Sequence, residues 1–179
     1  LSPLGGSPSL TAGGPARLRD FQILRLIGRA LEATNQFSEV RYKLPEEDAA
    51  GAGVLRMACL QLAAGSKKSL WDDGASTPLD GIEREAAFVL TIIYRDPNPQ
   101  IHQQELDRLL EVASNAIDGE SFGAAEVDGV ATEGATIPSR TYLAGWNYQE
   151  SSNVEQRLRI VGKFARLVTG WKGNNTLAD

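Results

Sequence analysis

The order of segments predicts an α+β fold: a mostly antiparallel sheet with two helices packed on one face, a long β-arm or loop, and extended termini. Three observations predict it. Apolar residues recur at helical spacing in two separate stretches. Between them lie stretches that alternate from face to face, as strands do. Glycine, proline and asparagine punctuate the gaps.

The elements follow in order. Residues 1–16 carry no charge and are broken by Gly5, Gly6, Gly13, Gly14, Pro3, Pro8 and Pro15, so they read as a flexible N-terminal arm and not as a secretory signal. Asp20 is a candidate N-cap, and Phe21, Leu24, Ile27 and Leu31 predict an amphipathic helix over 20–34 that stops at Asn35. Val40, Tyr42 and Leu44 alternate as a short strand, which Pro45 and the acidic run 46–48 end. A strand from Val54 to about Ala63 follows. Leu55, Met57 and Cys59 share one of its faces, and Ala58, Leu60 and Leu62 the other. Both faces are apolar, which predicts a central position in the sheet.

The polar stretch 65–81 is too long for a tight hairpin and reads as a protruding arm. Ile82–Arg95 is the clearest strand, stopped by Asp96-Pro97-Asn98-Pro99. Asn98 can cap a second helix with Pro99 in its first turn. Ile101, Leu106, Leu109, Leu110, Ala113, Ala116 and Ile117 give that helix one apolar face, and Asp118-Gly119 closes it. Residues 120–136 show no period. A hairpin ends the domain. Tyr142, Ala144, Trp146 and Tyr148 are expected on one face of its first strand. Leu158, Ile160, Phe164 and Val168 share a face of the second, with Arg157, Arg159 and Lys163 opposite. Residues 17–170 thus form one α+β domain, and 171–179 a C-terminal tail.

Composition narrows function. The chain has 179 residues, 42% of them hydrophobic, enough for a core without disulfides or metals. Its net charge of −5 argues against a generally basic nucleic-acid binder. The longest clean apolar run, Ala86–Ile93, falls far short of a bilayer span. Cys59 has no partner for an internal disulfide, and the chain reads as cytoplasmic in origin. A single histidine, His102, excludes a His-rich metal site and argues against a Ser-His-Asp triad.

No motif carries chemistry. Cys59 reads as a buried inert thiol, because no neighbouring cation lowers its pKa. His102 reads as a surface or capping residue. Asp72-Asp73-Gly74 lacks the ligand spacing of a calcium loop, and Gly51-Ala52-Gly53 that of a phosphate loop. Glu83 and Glu85 share a strand face as a solvated or interface pair. Trp71, Trp146, Tyr148 and Trp171 are not interleaved with basic residues, which favours core or protein contacts over stacking on bases.

Charge is unevenly distributed. Residues 96–133 hold nine acidic side chains and one basic, Arg108, whereas 153–179 hold five basic and two acidic. Solvated faces are the simple reading. The sharper one is a polarised protomer that meets copies of itself or a charged passage.

The arrangement resembles the tail terminator proteins of long-tailed bacteriophages, the lambda-type family and its relatives in gene-transfer particles. Four features carry the likeness: the helix Asp20-Phe21-Gln22-Ile23-Leu24-Arg25-Leu26-Ile27; the strand Arg56–Leu62 before a long arm; the strand Glu85–Arg95 running through a proline stop into Gln104–Leu110; and the hairpin 144–164. It spans residues 20–169. The resemblance implies a structural virion protein, with no catalysis and no cofactor. Such proteins form a homohexameric ring at the head-proximal end of the tail tube, assembled in the host bacterial cytoplasm. The ring ends tube polymerisation, contacts the tail tube protein and the neck or head-completion proteins, and lets genome DNA pass through its channel without specific binding. No membrane is involved. On this reading Lys67, Lys68, Trp71, Asp72, Asp73 and Trp171 are expected at protein interfaces, with Trp71 as the anchor of a docking arm. Glu105, Asp107 and Glu111 are candidates for the channel wall. A neck or tail-completion protein, joining head to tail, remains the alternative within this class. A small-ligand-binding or enzymatic α+β domain is the alternative from another.

Overall fold

The computed structural model describes residues 19–45, 53–69, 81–120, 122, 126–127, 130–131 and 140–169. Helix α1 (Asp20–Ala33) leads to strand β1 (Glu39–Arg41), then β2 (Leu55–Ser69) and β3 (Gly81–Arg95). A 3-10 turn (Pro99–Ile101) opens α2 (His102–Ile117). Strands β4 (Glu126–Val127) and β5 (Val130–Ala131) make a two-stranded ribbon, and β6 (Arg140–Tyr148) and β7 (Glu155–Thr169) complete the chain's main sheet. That sheet has the order β1-β2-β3-β7-β6. All its pairings are antiparallel except β1 with β2. The fold is α+β.

Both helices cover one face, α1 over β1 and β2, α2 over β3, β7 and β6. Ala58, Leu60, Phe88, Leu90, Ile92, Leu158, Ile160 and Phe164 rise from the strands to meet Ile23, Leu24, Ile27, Leu31, Leu106, Leu109, Ala113 and Ile117, all of them buried. Each large aliphatic or aromatic side chain removed from water contributes about 1.5–3 kcal/mol, so this layer dominates stability. Gly28 lets α1 sit close, because a Cβ there would meet the Tyr42 hydroxyl. Gly162 likewise makes room for the Phe88 ring, which stacks on Phe164 with centroids 6.2 Å apart.

Several boundaries differ from expectation. Arg19, not Asp20, is the N-cap of α1: its backbone N–H donates to Gln22 Oε1 at 2.8 Å. Asp20 instead takes two hydrogen bonds from Arg84, at 2.9 and 2.8 Å, tying the start of α1 to β3. Asn35 does stop the helix, with a φ of 57°. The strand at 40–44 shortens to β1, since Leu44 turns beneath the sheet to cover Met57, Cys59 and Ile93. The central strand is β3, not β2. Beyond β1's three residues, the outer side of β2 is an edge. Residues 65–69 of the expected loop continue β2, because the start of β3 offers them a ladder.

A one-residue bulge between Leu143 and Gly145 overturns the expected face of β6. Thr141 and Leu143 lie opposite Phe164 and Gly162, on the helix side. After the bulge it is Trp146 and Tyr148 that face Ile160 and Leu158. Tyr142, opposite Lys163, is therefore on the other face from Trp146. A second bulge, between Leu62 and Ala64, re-phases the far half of β2 in the same way.

Candidate functional site

The chemistry-bearing residues fall into a closed polar cluster and several open surfaces. The cluster sits where β3 turns into α2. The Tyr94 hydroxyl donates to Asp96 Oδ2 at 2.7 Å, and Asp96 Oδ1 accepts from the Asn98 backbone at 2.8 Å. The Asn98 N–H and the Tyr94 hydroxyl hold the Asp96 carboxyl below the usual range, while burial and that carboxylate push Tyr94 up to about 12. His102 is buried here, not on the surface. Its Nε2 lies 2.8 Å from the Asp96 carbonyl oxygen, and its ring is edge-on to Tyr94. The Arg56 guanidinium lies over the Tyr94 ring at 5.6 Å.

Arg56 also donates to Glu105 at 2.8 Å, and Arg108 donates to both Glu105 oxygens and to Gln36. The Arg108 hydrogen bonds, seconded by Arg56, hold the Glu105 carboxyl below its ordinary value. Apart from His102 Nδ1, which is buried without a hydrogen-bond partner, these groups fix the β3–α2 corner to β2 and to the turn after α1. The cluster is a structural clamp.

Cys59 is buried on the far face, and burial pushes its thiol up to about 11, which keeps it protonated. Arg95 is buried on that same face, opposite Glu155, and its Nε and one terminal nitrogen lack hydrogen-bond partners. Among the described residues, no group of three or more His, Cys, Asp or Glu is placed to hold a metal ion. No helix among them is long and apolar enough to cross a membrane.

The expected interface residues divide. Lys67 is exposed and lines a shallow recess of about 340 Å³ with Gly65, Ser66 and Arg84. Lys68 lies in the β2–β3 ladder opposite Glu83. Trp71, Asp72, Asp73 and Trp171 lie outside the described residues. Glu85 is exposed, with Lys163 3.9 Å away.

The three acidic candidates on α2 do not act as one. Glu105 turns toward the clamp, whereas Asp107 and Glu111 are exposed, and among the described residues neither forms an ion pair. The sequence reading missed the company they keep. Asp107 acts electrostatically on Tyr148 of β6, and Asp118 Oδ1 accepts from the Leu143 backbone at 2.7 Å. The line 107–111–118 therefore runs beside β6, the strand that carries Trp146, which is 55% exposed. The i, i+4 spacing of Asp107 and Glu111 was visible. The bulge that brings Trp146 to the same side was not.

At the opposite edge, Phe21, Arg25 and Arg29 form an i, i+4, i+8 line on α1. Phe21 meets Tyr42 with ring centroids 5.6 Å apart; burial and then Glu32 push the Tyr42 hydroxyl above its ordinary value, with Arg25 and Arg29 acting in the opposite direction. This line marks the outer flank beyond β1.

No family model matches the chain, and no curated protein sequence matches it. Among solved structures, a chain from the virion of a native gene transfer agent particle is similar: it is 13% identical, with a TM-score of 0.45 over 83% of this chain and 91% of that one.

Proposed function

We propose that this chain is a structural virion protein that forms a ring at the head-proximal end of a phage-type tail tube, where it ends tube growth and joins tail to head. It is not an enzyme on this reading.

The observation that carries the proposal is how the strands outrun the helices. At Arg84 the sheet is pinned to the first turn of α1, yet β2, β3 and β7 continue for about three more residues, roughly 10 Å, before β2 and β3 leave the described residues. The three-stranded ladder thus runs on past the first turn of α1. It suits an arm that reaches a neighbouring ring. The closed polar cluster supports the same reading, because its ionisable groups hold one another and the corner of the fold. Among its nearest alternatives, a neck protein joining head to tail would use the same arm toward a different partner.

The test is a cryo-EM reconstruction of the assembled particle, with Trp71→Ala as its companion. The reading expects a six-fold ring of this chain at the upper end of the tube, and overlong or headless tails from the variant. An isologous dimer in the particle, or its absence from the tail end, overturns it.

A further inference from the structure

Two flanks of one sheet carry opposite net charge, and each has an exposed aromatic on the helix side. On the β1 side, α1 presents Arg25 and Arg29 in line with Phe21, which is 46% exposed; Lys43 is exposed nearby, Arg41 is paired with Glu39 at 2.6 Å, and Glu32 is an exposed acid on the same helix, so the flank keeps a net positive charge. On the β6 side, α2 presents Asp107 and Glu111 along the strand that carries Trp146, with Asp118 and Glu120 exposed further along and Arg140 exposed at the start of the strand. The two flanks stand at opposite ends of the strand order, so one protomer cannot bring them together.

We propose that the partner of each flank is a second copy of this chain, bound head to tail, with the Arg25–Arg29 line of one protomer against the Asp107–Glu111–Trp146 surface of the next. This deepens the ring reading above and rests on it.

The chemistry favours that occupant. Arginines at i and i+4 on one helix match carboxylates at i and i+4 on another in both spacing and sign. An arginine reaching the α2–β6 side also finds the face or edge of an exposed indole, the ring that best attracts a guanidinium. Such a contact uses two different patches. It is heterologous, and repeats around an axis until it closes. The seam also has a strand edge on each side. Beyond the bulge, the outer edge of Trp146–Tyr148 takes no backbone partner among the described residues, whereas Thr141 is tied to Gly119 and Glu120. Asp107 and Glu111 are thereby assigned to a seam between copies and not to the wall of a passage.

The test is the mass of the assembly in solution, read by native mass spectrometry and light scattering, with circular dichroism as a check on folding. The wild-type chain should form a closed oligomer whose population falls with added salt. Two reversed variants, Arg25→Glu/Arg29→Glu and Asp107→Lys/Glu111→Lys, should each remain folded and associate about tenfold more weakly or worse. Trp146→Ala should weaken association without changing its salt dependence.

Mixed in equal amounts, the two reversed variants should recover closed rings of alternating subunits, because every seam then joins opposite charges. A wild-type chain that stays monomeric at its solubility limit overturns the proposal. So do variants that assemble as the wild type does, or a mixture that fails to recover. Rings formed through other residues would leave the tail-end reading intact and remove this seam. A seam that behaves as proposed in a chain absent from tail ends would remove the tail-end reading alone.

Discussion

The two faces of the five-stranded sheet are built from the same strands and answer to different demands. On the helix side, alternate residues from Ala86 to Tyr94 are all but inaccessible, and glycine at 162 is required for the Phe88 ring. On the other side, burial among the described residues gathers at one end, where Leu44 and Leu55 cover Met57, Cys59 and Ile93 and where Thr91, Arg95 and Glu155 are also buried. Away from that end the same face carries Gln61, Glu85, Arg159, Lys163 and Tyr142, partly or fully open to solvent. The first face is dictated by the need to fold. The second is not, so its residues are free to serve contacts with other molecules.

Four substitutions break or sharpen that contrast. Phe88→Ala removes the largest ring in the middle of the helix-side layer and should cost about 3–5 kcal/mol in urea unfolding. Retention of wild-type stability would mean that the layer is not the core. Gly162→Ala adds a methyl group where Phe88 already sits, and should cost ~1–3 kcal/mol. Combining it with Phe88→Leu should recover part of that loss, because the two changes share one space.

Glu105→Gln tests the clamp at the rim of the same layer. It should cost about 1 kcal/mol near neutral pH, less than a fully buried pair would, since Arg56 and Arg108 are partly exposed. Its sign with pH is fixed. The folded carboxyl lies below its unfolded value, so the stabilisation is present above that value, ~4.3, and fades as pH falls through the folded one. The variant and the wild type should therefore converge in stability in acid, as denaturant midpoints measured at descending pH will show. The smallest effect belongs to the open face. Lys163→Ala removes a loose pairing with Glu85 at 3.9 Å between exposed side chains, and thermal unfolding should register a change within about 0.5 kcal/mol.

Much of the fold was legible because the periodicities are clean. The α1 stripe, the alternation through Phe88, Leu90 and Ile92, and the proline stop before α2 each reflect one local rule. What could not be read depends on partners distant in the chain. A parallel pairing of β1 with β2 leaves no local trace, nor does the turn that carries Leu44 under the sheet. His102 looked like a surface residue because its burial depends on Tyr94 and on the Asp96 carbonyl, which only the corner brings together. The charge bias of 96–133 was plain, but its division was not: Glu105 is claimed by Arg56, 49 positions earlier, while Asp107 and Glu111 are left outward.

The bulge in β6 has a genetic consequence. A strand is written in a two-letter rhythm, and an extra residue shifts the phase of everything after it. With the insertion at Ala144, Trp146 stands on the same side as Asp107 and Glu111. The bulge absorbs that shift: Ala144 stands outside the register, and Trp146 keeps the place opposite Ile160 that it would hold in an uninterrupted strand. Removal of that one codon would therefore leave the indole on the same side, and only an extra residue flattened into regular pairing would carry it through. A lineage could thus gain or lose this residue by a three-base change with the neighbours of the acidic line left in place.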